Sequence, residues 1–486
     1  MMERLKLSYD DLSEQMKPCF LYLGAFPEDE EILVRDLICM WIAEEFIKKP
    51  KIQAGRRSKK EARSPIEPED IGEQYLKELV DRNLVQVASR RSDGQGVKTV
   101  KIHDSIRELC ILVSDDNPDN NNKSNKACSL FFPDNIGWYA CLLTRRDQPS
   151  TCSLFLCGDV KGWPHSFPEV CQVIVLYVKR NLSGKNNEYL NKLKSIRFLK
   201  MDNGAPHWLF NLQSLQTLHV VSNMGDENKV SVDDGLKQLR HLRRRSTVIR
   251  LLEDAKGVED KMQNVQTLSY VHADSQIGSL LNKGYFANLR TLGLLITEEG
   301  VQLMEENLRS LDRLSKLHKL KLQLVTTRIS LGRIPFPSNL TKIYLNWFIG
   351  LKYEHMSVLG GIPTLEILKL ELVDCSKRTL HCGSAGSFPR LKVFIMLHVY
   401  VARVILEPGT MLELERAVFY NCPGLKFNCL PERILELGSN LHFVKFNDEE
   451  ERRSKRKRMM IKMMKTTMWG RMMMTTTMKK SRRIYQ

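Results

Sequence analysis

Little in this chain invites covalent chemistry. Its 12 cysteines are scattered over 486 residues, and none stands in a Cys-x-x-Cys pair. That spacing excludes zinc ribbons and thioredoxin-like motifs. No apolar run approaches the roughly 18 residues that a membrane-spanning helix requires. One of the longer runs, Val173-Ile-Val-Leu-Tyr-Val178, has the length of a buried strand. No apolar stretch with a cleavage site opens the chain, so secretion is not expected, and the thiols are expected to be reduced and buried in the cytoplasm. The phosphate-cradling string Gly-x-x-x-x-Gly-Lys-[Ser/Thr] is absent. No nucleophile–base pair or metal-ligand cluster suggests an enzyme.

What is present reads as a folded protein of more than one unit. The hydrophobic share is 42% and the charged share 27%, both ordinary for a packed chain, and the length exceeds what one core serves. The net charge of +17 is unevenly placed: residues 452–486 hold 13 Lys or Arg and no acid. Taking those 13 from 74 leaves 61 basic against 57 acidic residues over 1–451. The basicity is therefore mostly a tail. Residues 448–486 are expected to be disordered, with nuclear import, loose anion binding or no role as the readings of the basic run.

The first hundred residues carry a helix-then-wing pattern. Leu33, Leu37, Ile38, Trp41 and Ile42 fall at helical spacing. A second helix fits Ile71-Gly-Glu-Gln-Tyr-Leu-Lys-Glu-Leu-Val80, with Asp70 and Glu73 as its capping box and Asn83 as its left-handed end. Leu84-Val-Gln-Val87 and Val97-Lys-Thr-Val-Lys-Ile102 alternate as strands about the turn signal Ser92-Asp-Gly-Gln-Gly96. The stretch 48–69 reads as a mobile basic insertion. After the second strand comes Ile102-His103-Asp104, and Ser105 with Glu108 forms a capping box for a further helix. A helix N-terminus offers N–H groups suited to phosphate.

The blocks Leu5-Lys-Leu-Ser-Tyr-Asp-Asp-Leu12, Cys19-Phe-Leu-Tyr-Leu-Gly-Ala-Phe-Pro-Glu-Asp29 and Leu37-Ile-Cys-Met-Trp-Ile-Ala-Glu-Glu-Phe-Ile47 resemble the winged-helix subdomain of the plant NLR immune receptors. Ile102-His103-Asp104 matches that family's Met-His-Asp motif, with isoleucine for methionine. The resemblance implies a nucleotide-sensing role for His103 and Asp104, His103 facing the terminal phosphate of ADP. Without the phosphate loop the site is expected to be vestigial. No cofactor is expected on the chain's own account, ADP or ATP belonging to intact relatives.

From about residue 170 the pattern Leu-x-x-Leu-x-Leu recurs, from 193 onward in steps of roughly 22 to 28 residues. It is read at Val170-Val173-Val175, Leu193-Ile196-Phe198, Leu215-Leu218-Val220 and Leu239-Leu242, whose third position is lost to Arg244. It continues through Leu289-Leu292-Leu294, Leu317-Leu320-Leu322, Leu340-Ile343-Leu345 and Leu365-Leu368-Leu370 to Leu441-Val444-Phe446. Each repeat supplies one short strand, and stacking buries a leucine spine that no single repeat could bury alone. The usual asparagine after the strand is largely missing. Side chains between the leucines face outward, and His318, Lys319, Lys321, Tyr344, Trp347, Lys369, His398 and Tyr400 are the candidate recognition surface.

The expected architecture is α/β: a winged-helix subdomain of an NB-ARC-like switch over 1–114, a linker at 115–126, a leucine-rich-repeat solenoid or horseshoe over 127–447, and the tail. Residues 127–165 are expected to form an irregular cap or first repeats. The expected function is that of a plant disease resistance receptor, whose repeats sense a pathogen effector or host protein and whose winged helix regulates activation; the expected partners are a pathogen effector, a host protein or an intact receptor. Two alternatives stay open: a nucleic-acid-binding winged-helix protein with a basic tail, and a receptor fragment without function. Against the first, the helix around 33–46 carries Asp36, Glu44 and Glu45 with one Arg35, where a DNA-reading helix needs several cations.

Overall fold

The computed structural model describes residues 2–26, 30–48, 66–94, 96–115, 126–131, 138–144, 151–156, 172–178, 193–203, 212–222, 228–231, 238–244, 249–252, 262–297, 308–324, 331 and 334–444. Most of the expected basic insertion (49–65), most of the linker (116–125) and the whole tail lie outside them. Two compact units are resolved: residues 1–346 with 362–367, and residues 347–361 with 368–486. Within the first unit the winged helix shares a core with Phe155, Ile174, Val175, Tyr177 and Phe198 of the strands that follow it.

The first unit opens with α1 (Met2–Asp10), α2 (Lys17–Tyr22), β1 (Ile32–Leu33), α3 (Val34–Ala43), α4 (Pro68–Asp81), β2 (Gln86–Arg90), β3 (Val97–Lys101) and α5 (Asp104–Asp115). β2 and β3 form the expected antiparallel wing, with Val87 opposite Val100. Two-residue β1 adds a third strand against β3, too short to leave a periodic signal. α4 begins three residues before the expected Ile71, with a proline in its first turn and the reciprocal cap made by Glu67 and Asp70 rather than Asp70 and Glu73. The amide of Glu67 donates to Asp70 Oδ2 at 3.0 Å. Asn83 does take the left-handed conformation, at φ 58°. α3 and α4 cross closely because residue 72 is glycine: a Cβ there would lie 2.6 Å from Ile38 Cγ2.

Three strands, β4 (Lys126–Phe131), β5 (Trp138–Thr144) and β6 (Thr151–Leu156), then form an antiparallel meander. From β6 onward the pairing is parallel: β7 (Gln172–Val178), β8 (Phe198–Asn203), β9 (Thr217–Ser222), β10 (Asn228–Ser231), β11 (His241–Arg244), β12 (Ile249–Leu252), β13 (Thr267–His272), β14 (Thr291–Ile296), β15 (Lys319–Leu324) and β16 (Lys342–Asn346). β11 joins β9 directly to β13, while β10 and β12 pair with each other and β12 also touches β13. Leucine lies on leucine across the ladder: Leu292 opposite Leu320, Leu294 opposite Leu322, Leu322 opposite Leu345. These side chains are fully buried. In β15 and β16 burial alternates residue by residue, so Lys319, Lys321, Lys342 and Tyr344 stand on the open face.

Two repeat frames differ from the expected ones. Leu199 pairs with Leu218 and Met201 with Val220, so this repeat reads Ile196-Leu199-Met201 rather than Leu193-Ile196-Phe198. Leu176 pairs with Leu199, which moves the preceding repeat to Val173-Leu176-Val178. Phe198 and Val175 mimic spine positions because they too are buried, but they belong to the winged-helix core cluster on the opposite face.

The second unit contains β17 (Ile349–Leu351), β18 (Ile367–Glu371), β19 (Asp374–Cys375), β20 (Thr379–His381), β21 (Val393–Leu397), β22 (Arg403–Ile405), β23 (Arg416–Tyr420) and β24 (Leu441–Val444). β21, β23 and β24 are parallel neighbours, and β17–β19 and β20–β22 form parallel pairs in the returns. Trp347, Leu372, His398 and Asn421, each just outside a strand, have φ between 50° and 60°. Their amides donate to the carbonyls of Glu371, Leu397, Tyr420 and Val444 at 2.9–3.0 Å. Main-chain bonds thus bracket each strand end where the sequence offers asparagine only once.

Candidate functional site

Parallel register lines up one side chain per repeat on the open face. Tyr177 of β7 lies opposite Lys200 of β8, Lys200 opposite His219 of β9, and His219 opposite Arg243 of β11. The row passes from aromatic to cationic, and Lys200 Nζ sits 4.2 Å from the centre of the Tyr177 ring. Into this row α3 lowers Asp36. Its Oδ2 lies 3.1 Å from Lys200 Nζ and 3.3 Å from His219 Nδ1, and its Oδ1 3.5 Å from an Arg243 nitrogen. The Asp36 side chain is only 3% exposed. Burial alone would raise its pKa, but His219, Lys200 and Arg35 overcome that and hold it far below the usual carboxylate range. Burial pushes His219 the other way, below its ordinary value, against the pull of Asp36; Lys200, Arg243 and Arg35 are the other cations facing Asp36.

The N-cap and first turn of α4 supply three more carboxylates, Glu67, Glu69 and Asp70. Arg240 donates to Glu69 through Nε (2.9 Å) and a terminal nitrogen (2.8 Å), the forked geometry a guanidinium favours, and also to Glu67 at 3.1 Å. His241 Nε2 lies 2.9 Å from Glu69 Oε1. Arg290 donates to both oxygens of Asp70, at 3.0 and 3.2 Å. Burial works against the Glu69 carboxylate, yet the hydrogen bonds from His241 and Arg240 leave its pKa well below normal. Between the two groups of pairs sits the buried thiol of Cys39, 3.5 Å from Arg243. Burial would raise its pKa, but the Arg243 and His241 charges bring it down to about 7.

The contact continues to either side. Arg197 reaches Glu45 at 2.5 Å and the Ala43 carbonyl at 3.1 Å, satisfying one carbonyl at the end of α3. Ser153 of β6 donates to buried Glu44 at 2.5 Å and lies 2.9 Å from the Tyr22 hydroxyl. Phe26, Phe155 and Tyr177 stack edge to face beside them. At the wing turn Asp93 faces Lys342 at 3.7 Å. Every residue of α3 except Arg35 is buried, so this helix presents no cationic face to a nucleic-acid groove.

The expected site residues are dispersed. His103 and Asp104 are exposed. His103 itself caps α5: its Nδ1 accepts the Ser105 amide at 3.2 Å, and its carbonyl accepts those of Ile106 and Arg107. The helix therefore starts two residues earlier than the expected Ser105–Glu108 box would set it. His318, Lys319, Lys321 and Tyr344 lie in the first unit, with the Lys319 ammonium 4.2 Å from the Tyr344 ring centre. Trp347, Lys369, His398 and Tyr400 lie in the second, where Lys369 pairs with Glu371 at 2.7 Å and His398 Nδ1 takes the Asn421 side-chain amide at 2.8 Å. The clamp residues Asp36, Glu69, Asp70, Lys200, Arg240, Arg243 and Arg290 were not among the expected ones. Asp36 alone left a trace, an acid in an otherwise apolar helix; α4 is rich in acids throughout, and Arg240 and Arg290 stand just before their strands.

A family described as the disease resistance protein winged helix domain matches residues 25–110. The tomato (Solanum lycopersicum) ToMV susceptible protein tm-2 is 27% identical over 89% of this chain and 54% of its own length. ToMV resistance protein Tm-2(2), also from tomato, gives the same figures. Probable disease resistance protein RXW24L of Arabidopsis thaliana is 26% identical over 91% of the chain and 55% of its own length.

The chain is a relative of the plant disease resistance proteins of the NLR type. It spans about half the length of the curated relatives it matches. In this disease resistance relative the clamp lies between the matched winged-helix region and the strands that follow it. His103 gives one ring nitrogen to its own helix, and the sequence supplies no phosphate loop beside it. One imidazole edge and a capped helix end do not fit an ADP site by themselves. Among the described residues no group of three His, Cys, Asp or Glu is arranged to hold a metal, and no helix is long and apolar enough to cross a membrane.

Proposed function

We propose that the chain is the regulating and sensing portion of a plant immune receptor. Its parallel strands form a leucine-rich-repeat solenoid, a reading supported by the in-register leucine spine. The winged helix is held against the repeats by the carboxylates of α3 and α4, and a protein bound to the open strand face releases it. The partner is a pathogen effector, a host protein or an intact receptor. The chain works by binding rather than catalysis and in the cytoplasm, and it needs no cofactor of its own. The observation that carries this reading is the buried row of ion pairs from Asp36 and Glu69 to Lys200, Arg243 and Arg240. Breaking one partner of a buried pair costs about 3–5 kcal/mol, enough to hold or free a subdomain.

The test uses the full chain with Glu69→Gln and Arg240→Gln. Both variants should speed amide exchange in α3 and α4 and alkylation of Cys39 by iodoacetamide, about tenfold or more. Expressed in leaf tissue beside the nucleotide-binding half of a relative, they should raise the defence response. Faster exchange with an unchanged response would refute the regulatory reading.

A further inference from the structure

Two adjacent residues in the return after β19 hold a backbone conformation that L side chains rarely adopt. Lys377 has φ 54° and ψ 23°, and Arg378 also has φ 54°. Neighbouring groups pin them there. The Ala402 amide donates to the Arg378 carbonyl at 2.7 Å, and the Thr379 hydroxyl donates to the Lys377 carbonyl at 3.3 Å. Both side chains are exposed. The Arg378 guanidinium carbon lies 4.6 Å from the centre of the Tyr400 ring, an attractive contact that holds the group in place. Tyr400, expected on the recognition surface of the repeats, bridges instead to Asp374 in the return.

A third cation enters from the next strand. β20 and β22 run parallel, with Thr379 opposite Arg403 and His381 opposite Ile405. Leu380 and Val404 are buried, so Arg403 and Thr379 share the outer face of this pair, their backbones about 4.8 Å apart. Tyr353, 47% exposed, stands 6.1 Å from the His381 ring and extends that face. Among the described residues Lys377, Arg378 and Arg403 form no ion pair. The acids close by in the chain mark the border: Asp374 before Lys377, Glu354 beside Tyr353 and Glu407 after Ile405, all exposed.

The arrangement selects a compact anion of more than one charge. A phosphate monoester fits, with about two negative charges near neutral pH and three acceptor oxygens on one centre. Guanidinium groups meet such oxygens with forked hydrogen bonds. A carboxylate offers half the charge. A nucleic-acid strand spreads single charges along a path, and an anionic membrane spreads them over a plane; either would leave the three cations and meet the bordering acids.

We infer that Lys377, Arg378 and Arg403, with Arg378 seated on Tyr400, form a subsite for a phosphorylated side chain of a protein partner. The subsite is built from the returns of the second unit, not from the open face of the main ladder. That the phosphate arrives on a protein rests on the protein-sensing reading above.

The experiment measures anisotropy of a labelled Gly-Ala-phosphoserine-Ala-Gly peptide on the full chain at physiological ionic strength. Its unphosphorylated twin and a twin with glutamate in place of phosphoserine run beside it. The phosphopeptide should bind about tenfold or more tightly than either twin. Arg378→Gln combined with Arg403→Gln should erase that preference. Both side chains are exposed, so the fold stays, and an unchanged proteolysis pattern checks it. Arg378→Lys keeps the charge but loses the fork, and should lower the preference about threefold or more. Vesicles carrying phosphatidylinositol 4-phosphate and labelled oligouridine are the lipid and nucleic-acid arms, and both should bind the native chain and the double variant equally. Equal affinity for the three peptides would overturn the proposal. So would a preference that survives the two arginine substitutions, or vesicle or oligouridine binding that depends on those arginines more than the phosphopeptide does. The clamp test reads α3, α4 and Cys39 in the first unit with no ligand present, so either idea can fail without the other.

Discussion

Asp36 and Glu69 are carboxylates kept from water, and acid tests what they do. Both have folded-state pKa values depressed below the ordinary carboxylate range by the cations around them. A depressed value means the stabilisation is fully present above the unfolded value of about 4 and is lost as pH falls from there through the folded value. Amide exchange in α3 and α4 should therefore accelerate as pH is lowered below about 4, beyond the intrinsic change with pH. Asp36→Asn should mimic part of this at neutral pH. It strands Lys200 and Arg243 beside a neutral amide, a cost of about 3 kcal/mol or more, read as roughly hundredfold faster exchange in α3. Exchange is the suitable measure because a chain of two compact units has no single unfolding free energy. None of these pairs was legible beforehand. Each acid and each base reads alone as a solvated charge, and only register across strands decides that Lys200, His219 and Arg243 converge.

The elements were more legible than the contacts between them. Leucines at fixed spacing announced the strands, and the turn signal at 92–96 announced the wing. The two misread repeat frames have a physical cause. Phe198 and Val175 are apolar because a second body covers the outer face there, and one apolar residue looks like another. α3 carries the same lesson: it is apolar nearly all round because one side packs into the winged helix and the other meets the strands. Its crossing with α4 depends on Gly72. In Gly72→Ala the new methyl collides with Ile38, and separating the helices should cost about 1–3 kcal/mol, the usual range for overpacking. Exchange in α4 should rise, while the second unit is unchanged. Equal protection in both variants would mean the helices have slack that the close approach denies.

At the scale of the whole molecule, the spine and the docked subdomain depend on each other. Leu292 is fully buried between Leu268 and Leu320, and Arg290, which holds Asp70, lies two residues before it. Leu292→Asp should therefore expose more than its own repeat. Limited proteolysis should cut the strands around 291–296, and α4 should lose protection together with them. Protection confined to loss in β14 would mean the helix needs no intact spine.

The strand ends of the second unit have a further consequence. Because backbone amides rather than a required side chain fasten Trp347, Leu372, His398 and Asn421 to the next coil, the residue at each of these places can be exchanged while the fastening stays. Side chains at those positions can therefore change one by one, tolerating a small strain at each, while the coil-to-coil fastening and the scaffold it holds are kept.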